Sequence, residues 1–426
     1  MNVCVIGAGY VGLTTSAVLA DLGNYVYCVE INEQKLEKLK NGNTPIFEPQ
    51  LENMIKVNLK SGRLLFSSSL SKAVNESSVI FIAVGTPSLS DGRTNLTFLE
   101  SVINELSSCI NSYKVIITKS TVPIGTNQKI VEELIKLGVS PLHFDIVSNP
   151  EFLREGSAIQ DMLSPDKIVI GVNDHKPIEL IQKLYKPFDA PFHITSLEGA
   201  EMIKYTANAF LATKISFINE ISKICEVYNI DITKVAKGIG LDPRIGSHFL
   251  GAGLGYGGSC FPKDLEALIF LASQKQVSPH LLKATKTVND SQVDFYIKKL
   301  LNKEPDLLNK KITVWGLSFK PNTDDIRESQ AIKLIEHLSA RGYDLHVHDP
   351  VVKTHIQNTT NYQHLYESIE QSDVLIIATE WDLYKNADWS IIAEKMNGTL
   401  IFDCRNCILP DLVTSRGLNY MGVARL

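Results

Sequence analysis

The sequence predicts an α/β protein in which two doubly wound parallel-sheet units are joined by a long helix. Three observations carry that expectation. Between residues 3 and 171, short apolar runs that stop at glycine, proline or hydroxyl residues alternate with helical stretches, the pattern of a parallel sheet covered by helices on both faces. From residue 198 to about 228 there is no proline and one glycine, Gly199, while apolar positions recur at intervals of three and four. That predicts one helix of unusual length. After Asn302-Lys-Glu-Pro305 the alternation of strand-like and helical runs restarts.

Taken in order, residues 3–6 form a strand that stops at Gly7. A small-residue helix runs to about Leu22, Gly23-Asn24 ends it, and residues 25–29 form a second strand closed by Glu30. Runs at 79–84, 115–118, 146–147 and 167–171 are expected to continue one parallel sheet. Helical segments follow the long helix to about Leu301, and the long helix would join two lobes and offer a dimer face. Strands at 311–315, 345–348, 374–378 and 400–402 then surround a helix over about 328–340. The chain thus divides into 1–197, 198–302 and 303–426. The last part parallels the first, but Gly316-Leu-Ser-Phe-Lys320 lacks the second and third glycines. It is not expected to bind a dinucleotide in the same way.

Composition excludes several classes. The 426 residues suggest about three domains. With 44 % hydrophobic and 21 % charged residues the chain is too apolar to be disordered. A net charge of -5 gives no global field for nucleic acid or an anionic membrane. Residues 1–20 carry no charge, but they lack the positive start of a signal peptide, and Gly7, Gly9, Gly12 and Thr14-Thr15-Ser16 interrupt any membrane span. A cytoplasmic location is expected. The seven cysteines are odd in number and scattered, which argues against a disulfide framework. Cys404 and Cys407 form a CxxC with no second pair, so no metal site is expected, and Cys4 and Cys28 read as small buried hydrophobes.

Several motifs carry chemistry. Gly7-x-Gly9-x-x-Gly12 follows a strand and opens a helix, and Glu30 lies 23 residues beyond Gly7. This is the spacing of a Rossmann dinucleotide site, with Glu30 on the ribose hydroxyls, and an acid there favours NAD over NADP. In Gly257-Gly258-Ser259-Cys260-Phe261-Pro262-Lys263-Asp264, Pro262 is suited to a first helical turn. Cys260 would then sit at a helix N-terminus beside Lys263, where dipole and ammonium favour thiolate, and Asp264 would hold a water or a base. A buried cysteine at a glycine-rich turn has the same spacing. Lys204 and Asn208 share a helix face with Asn219, a polar lining able to stabilise an oxyanion. A solvated lysine with a capping asparagine is the plainer alternative. Thr118-Lys-Ser120-Thr121 ends a strand, where an α/β sheet binds ligands. Asn149-Pro-Glu151-Phe152-Leu153-Arg-Glu155-Gly156 offers two carboxylates four residues apart, one a possible base or water anchor. Lys320 and Arg327 lie in a mixed-charge loop that is either solvated or directed at a phosphate.

Together these residues resemble the UDP-glucose/GDP-mannose dehydrogenase family over essentially the whole chain, and are most similar to its UDP-glucose-oxidising branch. The resemblance implies an NAD-binding Rossmann domain, a central helical dimerisation segment and a UDP-sugar-binding Rossmann-like domain. It implies two successive oxidations of C6 of UDP-glucose to UDP-glucuronate, with Cys260 forming a thiohemiacetal and then a thioester that water hydrolyses. Lys204 and Asn208 would stabilise oxyanion character, Asp264 and Thr121 would hold water, and Glu151 would take part in acid–base steps. Gly7, Gly9, Tyr10, Val11, Gly12, Glu30, Lys35, Thr86, Thr121, Glu155, Lys263 and Arg327 would contact NAD. Glu151, Phe152, Leu153, Lys204, Asn208, Phe249, Gly257, Lys320 and Arg405 would contact the nucleotide sugar, with Arg244 reaching the partner subunit's site in a homodimer or larger homo-oligomer. The family often has glycine at the position of Cys404. Alternatives are the same mechanism on a UDP-N-acetylhexosamine or GDP-mannose, a two-electron hydroxyacid-type dehydrogenase that has no need of Cys260, and a non-enzymatic NAD-binding protein.

Overall fold

The apolar runs become strands whose successive side chains enter cores on opposite faces of a sheet. In the strand Asn2–Ile6 (β1), Val3 and Val5 join one core while Cys4 and Ile6 join the other. The computed structural model describes residues 1–308 and 310–425. They form two compact units, Met1–Ala207 and Asn208–Leu426.

The first unit contains β1, Tyr25–Val29 (β2), Leu64–Ser67 (β3), Val79–Ile82 (β4), Lys114–Thr118 (β5), Phe144–Ser148 (β6), Ile168–Val172 (β7) and Phe192–Thr195 (β8). They form one sheet in the order β3-β2-β1-β4-β5-β6-β7-β8. The first six strands are parallel, in the 3-2-1-4-5-6 order of a dinucleotide-binding fold. Here the expected all-parallel sheet needs correction: β7 runs antiparallel to β6, and β8 follows β7 in parallel. A parallel return needs a long crossover. The connection after β6 holds only the six-residue helix Ala158–Leu163, too short to carry the chain back along the sheet. The strands overlap at two positions, Val147 with Val172 and Ser148 with Gly171. Beyond them the Asn149 side chain extends the pairing by donating to the Val169 carbonyl at 2.8 Å.

The second unit holds a six-stranded, wholly parallel sheet of Lys311–Trp315 (β9), Asp344–His348 (β10), Thr360–Tyr362 (β11), Val374–Ile377 (β12), Leu400–Asp403 (β13) and Asn419–Gly422 (β14). Its order, β11-β10-β9-β12-β13-β14, repeats the 3-2-1-4-5-6 arrangement. The turn after β9 differs from its counterpart after β1. No helix begins there; the next one is Gln330–Ser339. The Asp349 carboxylate fills the turn instead. Its Oδ2 accepts from the amides of Leu317 at 2.8 Å and Ser318 at 3.2 Å, and its Oδ1 from those of Val351 and Val352 at 3.0 Å. The protein's own anion thus occupies the amides that a phosphate would use.

The predicted long helix spans Leu197–Tyr228, 32 residues, or about 48 Å at 1.5 Å per residue. Its N-terminal part belongs to the first unit and its C-terminal part to the second. The helices Ile232–Gly240, Phe261–Gln274, His280–Asp290 and Gln292–Lys303 follow it. Cys4 and Cys28 lie in strand interiors, and burial pushes the Cys28 thiol up to about 12. Among the described residues no helix is long and apolar enough to cross a membrane, and no group of His, Cys, Asp and Glu is arranged to hold a metal.

Replacing Asp349 by alanine leaves buried amides without an acceptor. The expected loss is about 3 kcal/mol of stability, measured as an earlier transition of the second unit in urea.

Candidate active site

The dinucleotide turn is built by sterics. Gly7 has φ +99°, and a Cβ there would stand 2.7 Å from the Ala83 carbonyl oxygen. Gly12 lies so close to the turn that a Cβ would come within 1.8 Å of the Gly7 oxygen. Gly9 is the N-cap of the helix Tyr10–Asp21, with no side-chain cap and no acid in the first turn. A Cβ on Gly9 meets nothing within 4 Å, so the space over the helix N-terminus is open to a pyrophosphate. Glu30 follows β2. Its Oε1 accepts from the Asn32 amide at 3.0 Å and its Oε2 pairs with Lys35 Nζ at 2.9 Å. Burial pushes this carboxyl up, but the Asn32 amide and the Lys35 ammonium outweigh it and hold Glu30 below the usual range. These residues fit NAD: a cradle free of side chains and an ionised acid at the ribose position.

Other expected cofactor residues are fixed around this turn. Val11 packs against the core. The Tyr10 hydroxyl accepts from the Gly156 amide at 2.5 Å, which ties the glycine turn to the loop carrying Glu155. Thr86 is buried and donates to the Thr121 carbonyl at 2.8 Å. Two carboxylates missed in the sequence hold the same loops. Glu48 accepts from the amides of Gly156 at 2.6 Å and Ala158 at 2.7 Å. Glu201, on the long helix, accepts from the amides of Gly125 at 2.5 Å and Asn127 at 2.9 Å, capping the helix Thr126–Lys136.

Also in the first unit lies a buried charge cluster. Lys204 Nζ is 3.3 Å from Glu151 Oε1, with side-chain exposures of 4 % and 6 %. The Leu153 amide donates to Glu151 Oε2 at 2.5 Å, and Lys204 Nζ lies 5.2 Å from the Phe152 ring centre. Lys119 joins them. It is buried, donates to Asn149 Oδ1 at 3.0 Å, and has its proton affinity pushed down to about 8 by burial, against the attraction of Glu151. Lys119 sat unremarked inside the Thr118–Thr121 motif, because its partners come from distant segments.

In the second unit, Cys260 is the N-cap of the helix Phe261–Gln274, with Pro262 in its first turn, as expected. Ser259 Oγ is 3.5 Å from its sulfur. Asp264, 1 % exposed, accepts from Asn208 Nδ2 and from Lys263 Nζ, both at 2.6 Å. The loop before Cys260 is held by side-chain amides. Asn219 Oδ1 accepts from Gly253, Asn289 Oδ1 from Tyr256, and Gln330 Nε2 donates to the Tyr256 carbonyl. Asn219 is fully buried; its oxygen pins the loop, while its Nδ2 has no hydrogen-bond partner among the described residues. Gly258 donates to the Arg327 carbonyl at 3.0 Å, and a Cβ on Gly257 would stand 2.2 Å from the Glu328 oxygen. Phe249 has φ +64° and lies 6.1 Å from the Phe261 ring.

The arginines and Lys320 are placed differently from one another. Arg405 points inward, donating to the carbonyls of Ala378 at 2.7 Å, Phe319 at 3.3 Å and Gly255 at 3.4 Å. Arg244 and Arg327 lie in exposed loops, each forked onto the aspartate two residues earlier, Asp242 and Asp325, at 2.6 Å. Lys320 Nζ sits 5.6 Å from the Phe319 ring centre.

Three domains of one family match the chain in order. The UDP-glucose/GDP-mannose dehydrogenase family's NAD binding domain matches residues 1–189, its central domain 198–291 and its UDP binding domain 313–410. The chain belongs to this family. Bacillus subtilis YtcA is 51 % identical over 430 residues, covering all of both chains. The UDP-glucose 6-dehydrogenase YwqF of the same organism is 43 % identical, covering 100 % of this chain and 98 % of its own. Among solved structures, a UDP-glucose dehydrogenase from Pyrobaculum islandicum has a TM-score of 0.91 at 35 % identity, covering 100 % and 98 %. A UDP-D-ManNAc dehydrogenase from Pyrococcus horikoshii has a TM-score of 0.89 at 27 % identity, covering 100 % and 99 %. As a member of this dehydrogenase family the protein is an NAD-dependent oxidoreductase of nucleotide sugars.

Two outcomes follow from this geometry. Gly12→Ala drives a methyl into the Gly7 carbonyl, so NAD binding by calorimetry is expected to be lost in a protein whose second unit still unfolds normally. Lys119 binds its proton less tightly folded than unfolded, where the value is 10.5. The unfolded state therefore holds the extra proton between about pH 8 and 10.5, and wild-type stability gains with pH across that window. The difference in Tm between Lys119→Met and wild type should be largest at neutral pH and shrink as pH approaches 10.5.

Proposed function

We propose that the protein is a UDP-glucose 6-dehydrogenase that oxidises C6 of UDP-glucose from alcohol through aldehyde to carboxylate. Bound NAD supplies the hydride acceptor for each of the two oxidations. The observation that carries the reading is Cys260 at a helix N-terminus, with buried Asp264 one turn on and Asn208 bonded to it. A single oxidation of an alcohol has no use for a nucleophile so placed. In the second oxidation Cys260 Sγ adds to the aldehyde carbon and the thiol proton passes to the oxygen, giving a thiohemiacetal. Loss of hydride and the hydroxyl proton leaves a thioester. Water then adds, the C–S bond breaks, and the acid and free thiol are released.

The remaining residues take the following parts in this reading. Lys204 and Asn208, one turn apart on the long helix, stabilise negative charge on the C6 oxygen. Asp264 and Thr121 hold water, and Glu151 moves a proton. Gly7, Gly9, Tyr10, Val11, Gly12, Glu30, Lys35, Thr86, Glu155, Lys263 and Arg327 bind NAD. Phe152, Leu153, Phe249, Gly257, Lys320 and Arg405 bind the nucleotide sugar. The division into an NAD domain over 1–197, a central helical segment over 198–302 and a nucleotide-sugar domain over 303–426 belongs to the same reading.

The choice of sugar rests on the names of full-length relatives, such as the UDP-glucose 6-dehydrogenases of Pseudomonas aeruginosa at 39 % and Rhizobium meliloti at 41 % identity. Oxidation of a UDP-N-acetylhexosamine is the second reading, supported by the Pyrococcus horikoshii structure. A homodimer is part of the proposal. Phe210, Phe217 and Ile224 recur every seven residues on the long helix and are 64 %, 50 % and 50 % exposed, an apolar seam suited to a second copy. Exposed Arg244 is available to reach a partner's substrate.

UDP-glucose, UDP-N-acetylhexosamines and GDP-mannose are to be screened with NAD and NADP by absorbance. The expected result is turnover of UDP-glucose with NAD and two NADH per sugar; a ratio of one rules out the second oxidation. Cys260→Ser should accumulate an enzyme-bound or aldehyde-level species by mass spectrometry, and full turnover by this variant excludes the nucleophile. Phe217→Glu should lower the mass seen by light scattering.

A further inference from the structure

We propose that Asn289 is a positioning residue for the second oxidation, fixing through the Tyr256 backbone the approach of the chain to Cys260. The proposal rests on the reading of Cys260 given above and adds a residue that this reading leaves without a task.

Residues 252–258 lead into Cys260. They are buried and lie in no helix or strand, so their amides and carbonyls need partners from elsewhere. Side-chain amides supply several. At Gly253 two residues share the work: Asn219 Oδ1 accepts from its amide and Gln292 Nε2 donates to its carbonyl, both at 2.9 Å. Three residues on, one side chain does both. Asn289 Oδ1 accepts from the Tyr256 amide at 2.8 Å, and its Nδ2 donates to the Tyr256 carbonyl at 3.2 Å. This is the pairing of a neighbouring strand, compressed into one carboxamide. Gln330 Nε2 adds a second bond to the same carbonyl at 2.8 Å. Asn219 Nδ2 and Gln292 Oε1 are left without a hydrogen-bond partner among the described residues, whereas both polar atoms of the Asn289 amide are used on a single residue. Gly255, at φ +108°, lets the chain pass so close that a Cβ would stand 2.5 Å from Asn289 Oδ1.

Two contacts carry this clamp to Cys260. The Tyr256 ring meets the Phe261 ring edge-on, with centres 6.0 Å apart, and Phe261 opens the helix whose N-cap is Cys260. Along the chain, Gly257 and Gly258 follow Tyr256, the latter at φ +82°. Glycines impose little conformational preference of their own, so their course is set by what flanks them. On one side Gly258 donates to the Arg327 carbonyl at 3.0 Å, and a Cβ on it would stand 2.7 Å from the Phe319 ring. On the other side stands Tyr256, where Asn289 holds it. An aliphatic side chain of similar size would fill the same space and leave the Tyr256 amide unpaired. What the carboxamide adds is direction. Attack on the aldehyde needs sulfur and carbon about 3–3.5 Å apart. A small shift of this helix start therefore falls on the second oxidation, which uses Cys260, and spares the first.

The test uses the full-length enzyme with UDP-glucose and NAD, following the two hydride transfers separately by rapid mixing. Asn289→Leu is expected to slow the second transfer about 10- to 100-fold. The aldehyde should accumulate, while the first transfer and KM for UDP-glucose change little. An unslowed second transfer, or equal slowing of both, overturns the proposal. Ser222→Ala is the control, since it removes a different buried bond, to Tyr296. It should leave both transfers as in wild type, and the same selective defect in this variant also overturns the proposal. If Asn289→Leu does not fold, Gln330→Met is decisive. It removes one of the two side-chain bonds to the Tyr256 carbonyl and should slow the second transfer alone, about 5-fold; an unmoved second transfer overturns the proposal. One NADH per sugar from the wild type, or full turnover by Cys260→Ser, would sink the functional reading instead. Asn289 is then tested without activity, by hydrogen exchange. Amides of residues 254–264 should exchange about 10-fold faster in Asn289→Leu, with those of Gln292–Lys303 as in wild type. No change, or an equal change in both segments, overturns the proposal.

Discussion

One helix must bury polar side chains in both units of the molecule, and every one of them needs a partner. Glu201 and Lys204 lie in the first unit and Asn208, Ser216, Asn219 and Ser222 in the second, all buried along Leu197–Tyr228. Glu201 caps a helix, Lys204 meets Glu151, and Asn208 meets Asp264. Ser216 donates to the Thr285 carbonyl, Asn219 accepts from Gly253, and Ser222 meets Tyr296. An unpaired polar group in such a place costs about 1–3 kcal/mol. The loops and helices that supply the partners are therefore held to the long helix.

The two sheets show how one topology serves two ends. Both follow the same strand order, and both turn sharply at a glycine after the first strand, Gly7 and Gly316. In the first unit a helix starts at once, so free amides point at the space above Gly9. In the second the helix is delayed, and Asp349 takes the turn amides itself. A fold-level likeness therefore does not carry a ligand from one to the other; local hydrogen bonding decides.

Much of this was legible in the chain. Apolar runs, the glycine spacing and a proline-free stretch are local signals, and they located β1, β2, the dinucleotide turn, the long helix and the Cys260 helix start. The antiparallel β7 was not legible, because direction depends on the length of the helix in the connection and not on the strand's own residues. Asn219 shows the same limit. Its place on the helix was read correctly, yet its partner, the Gly253 amide, lies 34 residues away, and only folding reveals that its oxygen is turned to a loop.

By itself the sequence determined the fold class, the family, NAD as cofactor and the residue types able to do the chemistry, since backbone freedom at glycine and hydrophobic period act over a few residues. The tertiary structure decided which charges stand together. Lys119, Glu151 and Lys204 are scattered over 86 positions of the chain, and folding buries all three in the first unit. Coulomb and desolvation energies follow distance in space and access of water, and neither is written in the order of the residues.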